Sequence, residues 1–106
     1  MNDFFNGRLF RIPINTDGSA GAIVPIEASS SFTRPDGMRS VGPQTLLQAE
    51  GQGRVTELTI NGNRAEVRVL QDGLTGATGV TLVGNTALVL VGRSKSVVVP
   101  YRRLSP

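Results

Sequence analysis

The chain has 106 residues, 13 of them glycine, with 18% charged residues and a formal charge of +3. It contains no cysteine, histidine or tryptophan, which excludes disulfides, thiolate metal sites and any Ser-His-Asp triad. Any chemistry must therefore run on carboxylates, lysine, tyrosine or a metal held by oxygen ligands. No run of about 18 apolar residues occurs, so no membrane span is expected. The stretch from Met1 to Asn6 lacks a basic region followed by a long apolar one, so it does not read as a signal peptide. A soluble, cytoplasmic protein is predicted.

The punctuation of the chain predicts strands, not helices. Short apolar runs alternate with glycine, asparagine, aspartate and proline at roughly the 8–12-residue spacing of all-β folds. The first strand is read over Arg8 to Ile14, with Phe10, Ile12 and Ile14 on one face. A turn carrying Asp17-Gly18 follows, then a short strand from Ile23 to Ala28. Ser29 to Pro35 is a polar connection. The next strands are Met38 to Val41, a Gly42-Pro43 turn, Thr45 to Glu50, and Arg54 to Ile60. Asn61-Gly62 is a hairpin signal for a type I′ turn. The returning strand, Ala65 to Leu70, alternates apolar Ala65, Val67 and Val69 with charged Arg64, Glu66 and Arg68. After Asp72-Gly73 and Thr75-Gly76 come Val80 to Val83, the Gly84-Asn85 turn, the apolar run Ala87 to Val91, and a last strand from Val97 to Tyr101. Pro13 and Pro100 interrupt strand-like runs and are expected at outer or bulged positions.

The chain also repeats itself. Gly37-Met38-Arg39-Ser40-Val41-Gly42 matches Gly79-Val80-Thr81-Leu82-Val83-Gly84. Each copy leads through a glycine turn to an apolar strand, Thr45 to Glu50 or Thr86 to Val91, then to Gly51 or Gly92. A further strand follows in each. A partial copy stands at the front, where Gly7-Arg8-Leu9-Phe10 parallels Gly53-Arg54-Val55-Thr56. The offset of about 42 residues falls within the period of β-propeller blades. The expected fold is therefore all-β, a β-propeller segment of about two antiparallel four-stranded blades. Residues 1–106 form one partial domain, with blade fragments over about 7–28, 37–71 and 79–103. Two flanking faces are expected to lie uncovered, inviting self-association or further repeats. A small β-sandwich that closes alone is the alternative.

The residues of the repeat resemble the gluconolactonase-like family, which includes regucalcin. Arg34-Pro35-Asp36-Gly37-Met38 is similar to its PDG motif. Gly7-Arg8-Leu9-Phe10-Arg11-Ile12-Pro13-Ile14 with Asp17-Gly18 is similar to its GR-L-hydrophobic-RI strand and DG turn. Gly53-Arg54-Val55, Val69-Leu70-Gln71-Asp72-Gly73-Leu74 and Thr78-Gly79-Val80 follow its GRV, VLxDGL and PTGV series, with Ala77 where the family usually has proline. The resemblance implies part of a six-bladed propeller with a divalent cation (calcium, zinc or magnesium) at its channel. It also implies hydrolysis of sugar lactones in the full-length parent. Asp36 would be the counterpart of the metal-binding aspartate that sits beside the hydrolytic chemistry. The family's other ligands, a glutamate and the asparagine of a PNG-type motif, have no counterpart here; Asn6-Gly7 lacks the preceding proline and reads as a strand-entry turn. A segment inactive alone is expected, with a non-catalytic interaction or scaffold module as the alternative.

The other polar groups carry weaker signals. Glu50 could line a channel beside Asp36, but an exposed strand-end charge is the expectation. Asp17, Glu66 and Asp72 read as turn or surface groups, and Ser29-Ser30-Ser31 as loop, since no histidine can activate a hydroxyl. No phosphate-loop pattern occurs. Arg93, Lys95, Arg102 and Arg103, with Tyr101 nearby, are too scattered for a nucleic-acid footprint and are read as solvated strand ends.

Overall fold

A computed structural model describes residues 2–3, 6–92 and 95–101. They form ten strands and no helix: β1 (Asn2–Asp3), β2 (Arg8–Arg11), β3 (Val24–Ala28), β4 (Pro35–Ser40), β5 (Thr45–Glu50), β6 (Val55–Asn61), β7 (Arg64–Gln71), β8 (Ala77–Val83), β9 (Thr86–Val91) and β10 (Lys95–Pro100). With no helix among these residues, none is long and apolar enough to cross a membrane. Seven strands make one sheet in the order β1-β2-β3-β7-β6-β5-β4, and three make a second in the order β10-β9-β8.

The larger sheet is nearly closed. Asn2 Nδ2 on β1 donates to the Asp36 carbonyl of β4 at 2.7 Å and to Gln48 Oε1 of β5 at 3.0 Å, drawing the two ends together. Within this sheet β4 to β7 are an antiparallel meander, joined strand to next strand. β2 and β3 are an antiparallel hairpin. β3 then joins β7 in parallel over only two positions, Glu27 opposite Arg64 and Ala28 opposite Ala65. The join gives the Glu27 and Ser29 amides acceptors at Asn63 and Ala65, covering what would be an open edge.

Period-two alternation gives the meander two different faces. On β5, Leu46 points with Gln48 and Glu50, while Leu47 points with Ala49. Cross-strand register extends both rows, with Leu46 opposite Leu58 and Leu47 opposite Glu57. The first face meets the front of the chain, packing Leu58 and Ala65 with Leu9 and Phe32. The second meets the smaller sheet, packing Leu47, Ala49 and Val55 with Ala77, Ala87, Val89, Val99 and Tyr101. The meander is thus covered on both sides, and β6 buries Val55, Thr56, Glu57 and Leu58 in succession.

Several expectations shift. The first strand ends at Arg11, and Ile14 makes only an isolated bridge to Ala20. Leu9 is the residue of that strand that reaches the core, while Ile14 is 72% exposed. Pro13 lies outside the strands, and Pro100 lies in edge strand β10, as proline requires. The β6–β7 hairpin turns one residue later than Asn61-Gly62. Asn61 pairs with Arg64, so Gly62-Asn63 are the central residues. Only Gly62, at φ 62°, is left-handed, which is the pattern of a type II′ turn with glycine first, not type I′. Val69 is 47% exposed instead of sharing the core with Ala65, next to the register shift at Leu70. The front strands β1 to β3 join the meander's own sheet through β3 and β7, and that sheet curls to cover one face of the meander.

Candidate functional site

Asp36 stands at a register shift. Pro35 pairs with Glu50 and Met38 with Gln48, leaving Asp36 and Gly37 as the irregular pair on β4. Bulges of this kind re-aim side chains and recur beside active sites. The entry to β4 is held from both sides. Arg34 is the one described non-glycine residue at positive φ, 55°, and its carbonyl accepts the Gly51 amide at 2.7 Å. Gly37 lies hard against the second sheet, where an added Cβ would come within 2.5 Å of Thr78 O and 2.7 Å of Gly79 Cα. Asp36 itself is exposed. The matching position of the second repeat is Thr78, which carries no carboxylate.

Glu50, the other candidate beside Asp36, is not an exposed strand-end charge: it is fully buried. Its carboxylate accepts Arg54 Nε at 3.1 Å and the Thr33 backbone amide at 2.8 Å. Arg54 reaches on to Ser30 Oγ and the Ser31 carbonyl. Burial of a carboxylate is tolerable because it is both ion-paired and hydrogen-bonded. Glu50 therefore ties the serine segment to β5 and β6. Ser29 Oγ accepts the Val67 amide at 2.9 Å, so that segment holds strands together, in keeping with its reading as loop.

Two further polar positions carry no individual sequence signal. Glu57, 5% exposed, accepts a two-pronged pair from Arg68, Nε to Oε1 and Nη2 to Oε2, each at 3.1 Å. The Tyr101 hydroxyl donates to the same Oε2 at 2.6 Å, across from the smaller sheet. Hairpin arithmetic could have found the first half, since Asn61 opposite Arg64 puts Glu57 opposite Arg68. It could not find Tyr101, whose approach depends on how the sheets stack. Gln48 is fully buried with Oε1 on Asn2 and Nε2 lacking a partner.

The remaining acids sit as expected. Asp17 is exposed in its turn, and the Ser19 hydroxyl, followed by the Ser19 amide, holds its carboxyl below the ordinary value. Asp72 Oδ1 accepts the Gly73 amide, and Glu66 is exposed. Lys95 is exposed on edge strand β10; Arg93, Arg102 and Arg103 lie outside the described residues. No three histidine, cysteine, aspartate or glutamate side chains lie together among the described residues. Asp36 has an amide donor, Asn2, as its neighbour, and Glu50 is committed to Arg54. One exposed carboxylate does not fit calcium, which takes six to eight oxygens. The residues here do not by themselves make a divalent-cation site. No protein-family model, curated protein or solved structure matches the chain.

Proposed function

We propose that the chain is a segment of a gluconolactonase-like β-propeller, and that Asp36 is its contribution to a divalent-metal lactone-hydrolase site. The observation that carries this reading is the meander β4 to β7. It is a four-stranded antiparallel unit, and one of its faces packs on a three-stranded unit of the same repeat. Face-to-face packing of successive repeat units supports a blade-like reading. Asp36 supports the site assignment by lying exposed on the bulged first strand of the unit, followed by a glycine in backbone contact with the next. A cation bound there, with its other ligands supplied from outside the described residues, would polarise a lactone carbonyl. The 106-residue chain alone is then expected to be inactive. Hydrolysis of a sugar lactone with added calcium, zinc or manganese should stay at the buffer rate. A metal-dependent rate abolished by Asp36→Ala would show a complete site and overturn the segment reading.

A second reading, an interaction module without catalysis, is favoured by a different observation. The outer face of the smaller sheet is apolar and open.

A further inference from the structure

The inward rows of the larger sheet run to an open end. Arg11 stands two residues past buried Leu9 on β2, Ser40 two past Met38 on β4, and Ile60 two past buried Leu58 on β6. Leu46 begins the inward row of β5 and pairs with Ser40. By alternation these four point the same way as the core residues behind them, one step nearer solvent. With Gln44 and Thr45 they line an open cavity of about 310 Å³. The mouths of closed sheets are a recurrent place for small-ligand sites.

Among the described residues that line this cavity, Arg11 carries the only charge. Its guanidinium reaches from β2 to the β6–β7 turn, where Nη1 donates to Asn63 Oδ1 at 2.9 Å and Nη2 to the Gly62 carbonyl. Both acceptors are neutral. Arg54 and Arg68 each have a carboxylate within ion-pair distance; Arg11 has none among the described residues. It is half-buried, and two of its five N–H donors are used. Those two bonds hold the fork in place, so little side-chain freedom is left to lose when an anion arrives. Leu46 and Ile60, packed on the core, supply an apolar floor.

We infer that this mouth binds a small organic carboxylate, with the carboxylate on Arg11 and an apolar body on Leu46 and Ile60. A carboxylate matches the planar guanidinium fork. A ring-sized apolar body suits the floor and a cavity at the small end of the range for ligand sites. One ion pair and one ring-sized contact make a weak site, with a Kd on the order of 1 mM for benzoate. Asp36 lies four residues before Ser40 along β4, roughly 13 Å away. The inference therefore stands apart from the proposed lactone chemistry and survives its failure.

Titration of the full chain with sodium benzoate from about 0.1 to 20 mM at fixed ionic strength, followed by amide chemical shifts, tests it. The wild type should saturate, with the shifts centred on the open end and the Gly62-Asn63 turn. Arg11→Gln should raise the Kd about tenfold or more, and Arg11→Lys, which keeps the charge without the fork, should fall between. Because Arg11 also ties the turn, exposed Gln44 gives a second reading that leaves that tie intact. Gln44→Glu should weaken binding about two- to fivefold and Gln44→Lys should strengthen it by a similar factor. Lys95→Gln, which removes a remote charge, should bind like the wild type. Inorganic phosphate should bind more weakly than benzoate, since it gains nothing from the apolar floor. No saturable shift by 20 mM, Gln44 variants that leave the Kd unchanged, or phosphate binding as tightly as benzoate would each overturn the proposal.

Discussion

The two repeats start from similar sequence and end in different surroundings. In the first, Leu47 faces Glu57 across the β5–β6 ladder; in the second, Leu88 faces Val98 across β9–β10. Leu47 is fully buried and Glu57 nearly so, whereas Val98 is 65% exposed. The strands form in both because alternation, turn glycines and hairpin pairing are local. Burial differs because it is set by what lies across the face. On the opposite faces the contrast is in chemistry. Gln48 and Glu50 occupy the positions of Val89 and Val91, so the first repeat buries polar groups where the second buries valine. Those polar groups are used as ties: Gln48 to β1, and Glu50 to the serine segment.

The sharpest way to break this comparison is to remove the same volume from both repeats. Leu47→Ala takes a side chain from between two sheets, and should cost about 2–5 kcal/mol. Leu90→Ala on the open face should cost well under about 1 kcal/mol, since little of its area leaves water on folding. Urea denaturation of the two variants, compared through their midpoints at unchanged slope, reads the difference. Equal losses would mean that both faces are covered in solution, which would itself argue for association at the concentration used.

How much of this was legible in the sequence follows the same division. Nine of the ten strands were placed from alternation and turn residues, and the internal repeat correctly paired Thr45–Glu50 with Thr86–Val91. The strand Asn2–Asp3 was not legible. It is two residues long, pairs with β2, and carries Asn2, whose side chain bridges Asp36 and Gln48 across the seam of the larger sheet. Glu50 was misread because a carboxylate at a strand end is usually solvated. Nothing local announces that Arg54, four residues on, and the Thr33 amide will converge on it. The Gly62-Asn63 turn was misplaced by one residue, because Asn-Gly and Gly-Asn both suit hairpins. Asp36 was read as lying ahead of a strand that starts at Met38, whereas it lies within β4; its bulge and its lack of acidic neighbours depend on register and tertiary packing.

A smaller effect probes the covered face from the other side. Tyr101 donates to the buried Glu57 carboxylate at 2.6 Å, while Arg68 holds the same group from the neighbouring strand. Tyr101→Phe keeps the ring in the core and removes one charge-assisted hydrogen bond, worth about 1.5–3 kcal/mol. The Arg68 pair remains, so the loss should fall toward the lower end, read as a reduced urea midpoint. A loss below about 0.5 kcal/mol would mean that water replaces the hydroxyl, and that the two sheets meet less closely at β10 than they do at β8.

The smallest contrast is a single methyl group at matched glycines. Gly37 and Gly79 occupy the same position of the repeat, each at the register shift of its first strand. Neither has the positive φ that would disfavour a side chain. A Cβ at Gly37 would press on the backbone of Thr78 and Gly79, whereas one at Gly79 would meet only Leu90 Cβ at 3.9 Å. Gly37→Ala must therefore push two backbones apart, and overpacking of that kind costs about 1–3 kcal/mol. Gly79→Ala fits without displacement and restricts the unfolded chain, so it should be neutral or stabilising by about 0.4–1 kcal/mol. Thermal or urea unfolding of the pair gives the sign directly. If both substitutions were tolerated alike, the close approach of β4 to β8 would not exist, and the stacking of one repeat on the next would lose its tightest point of contact.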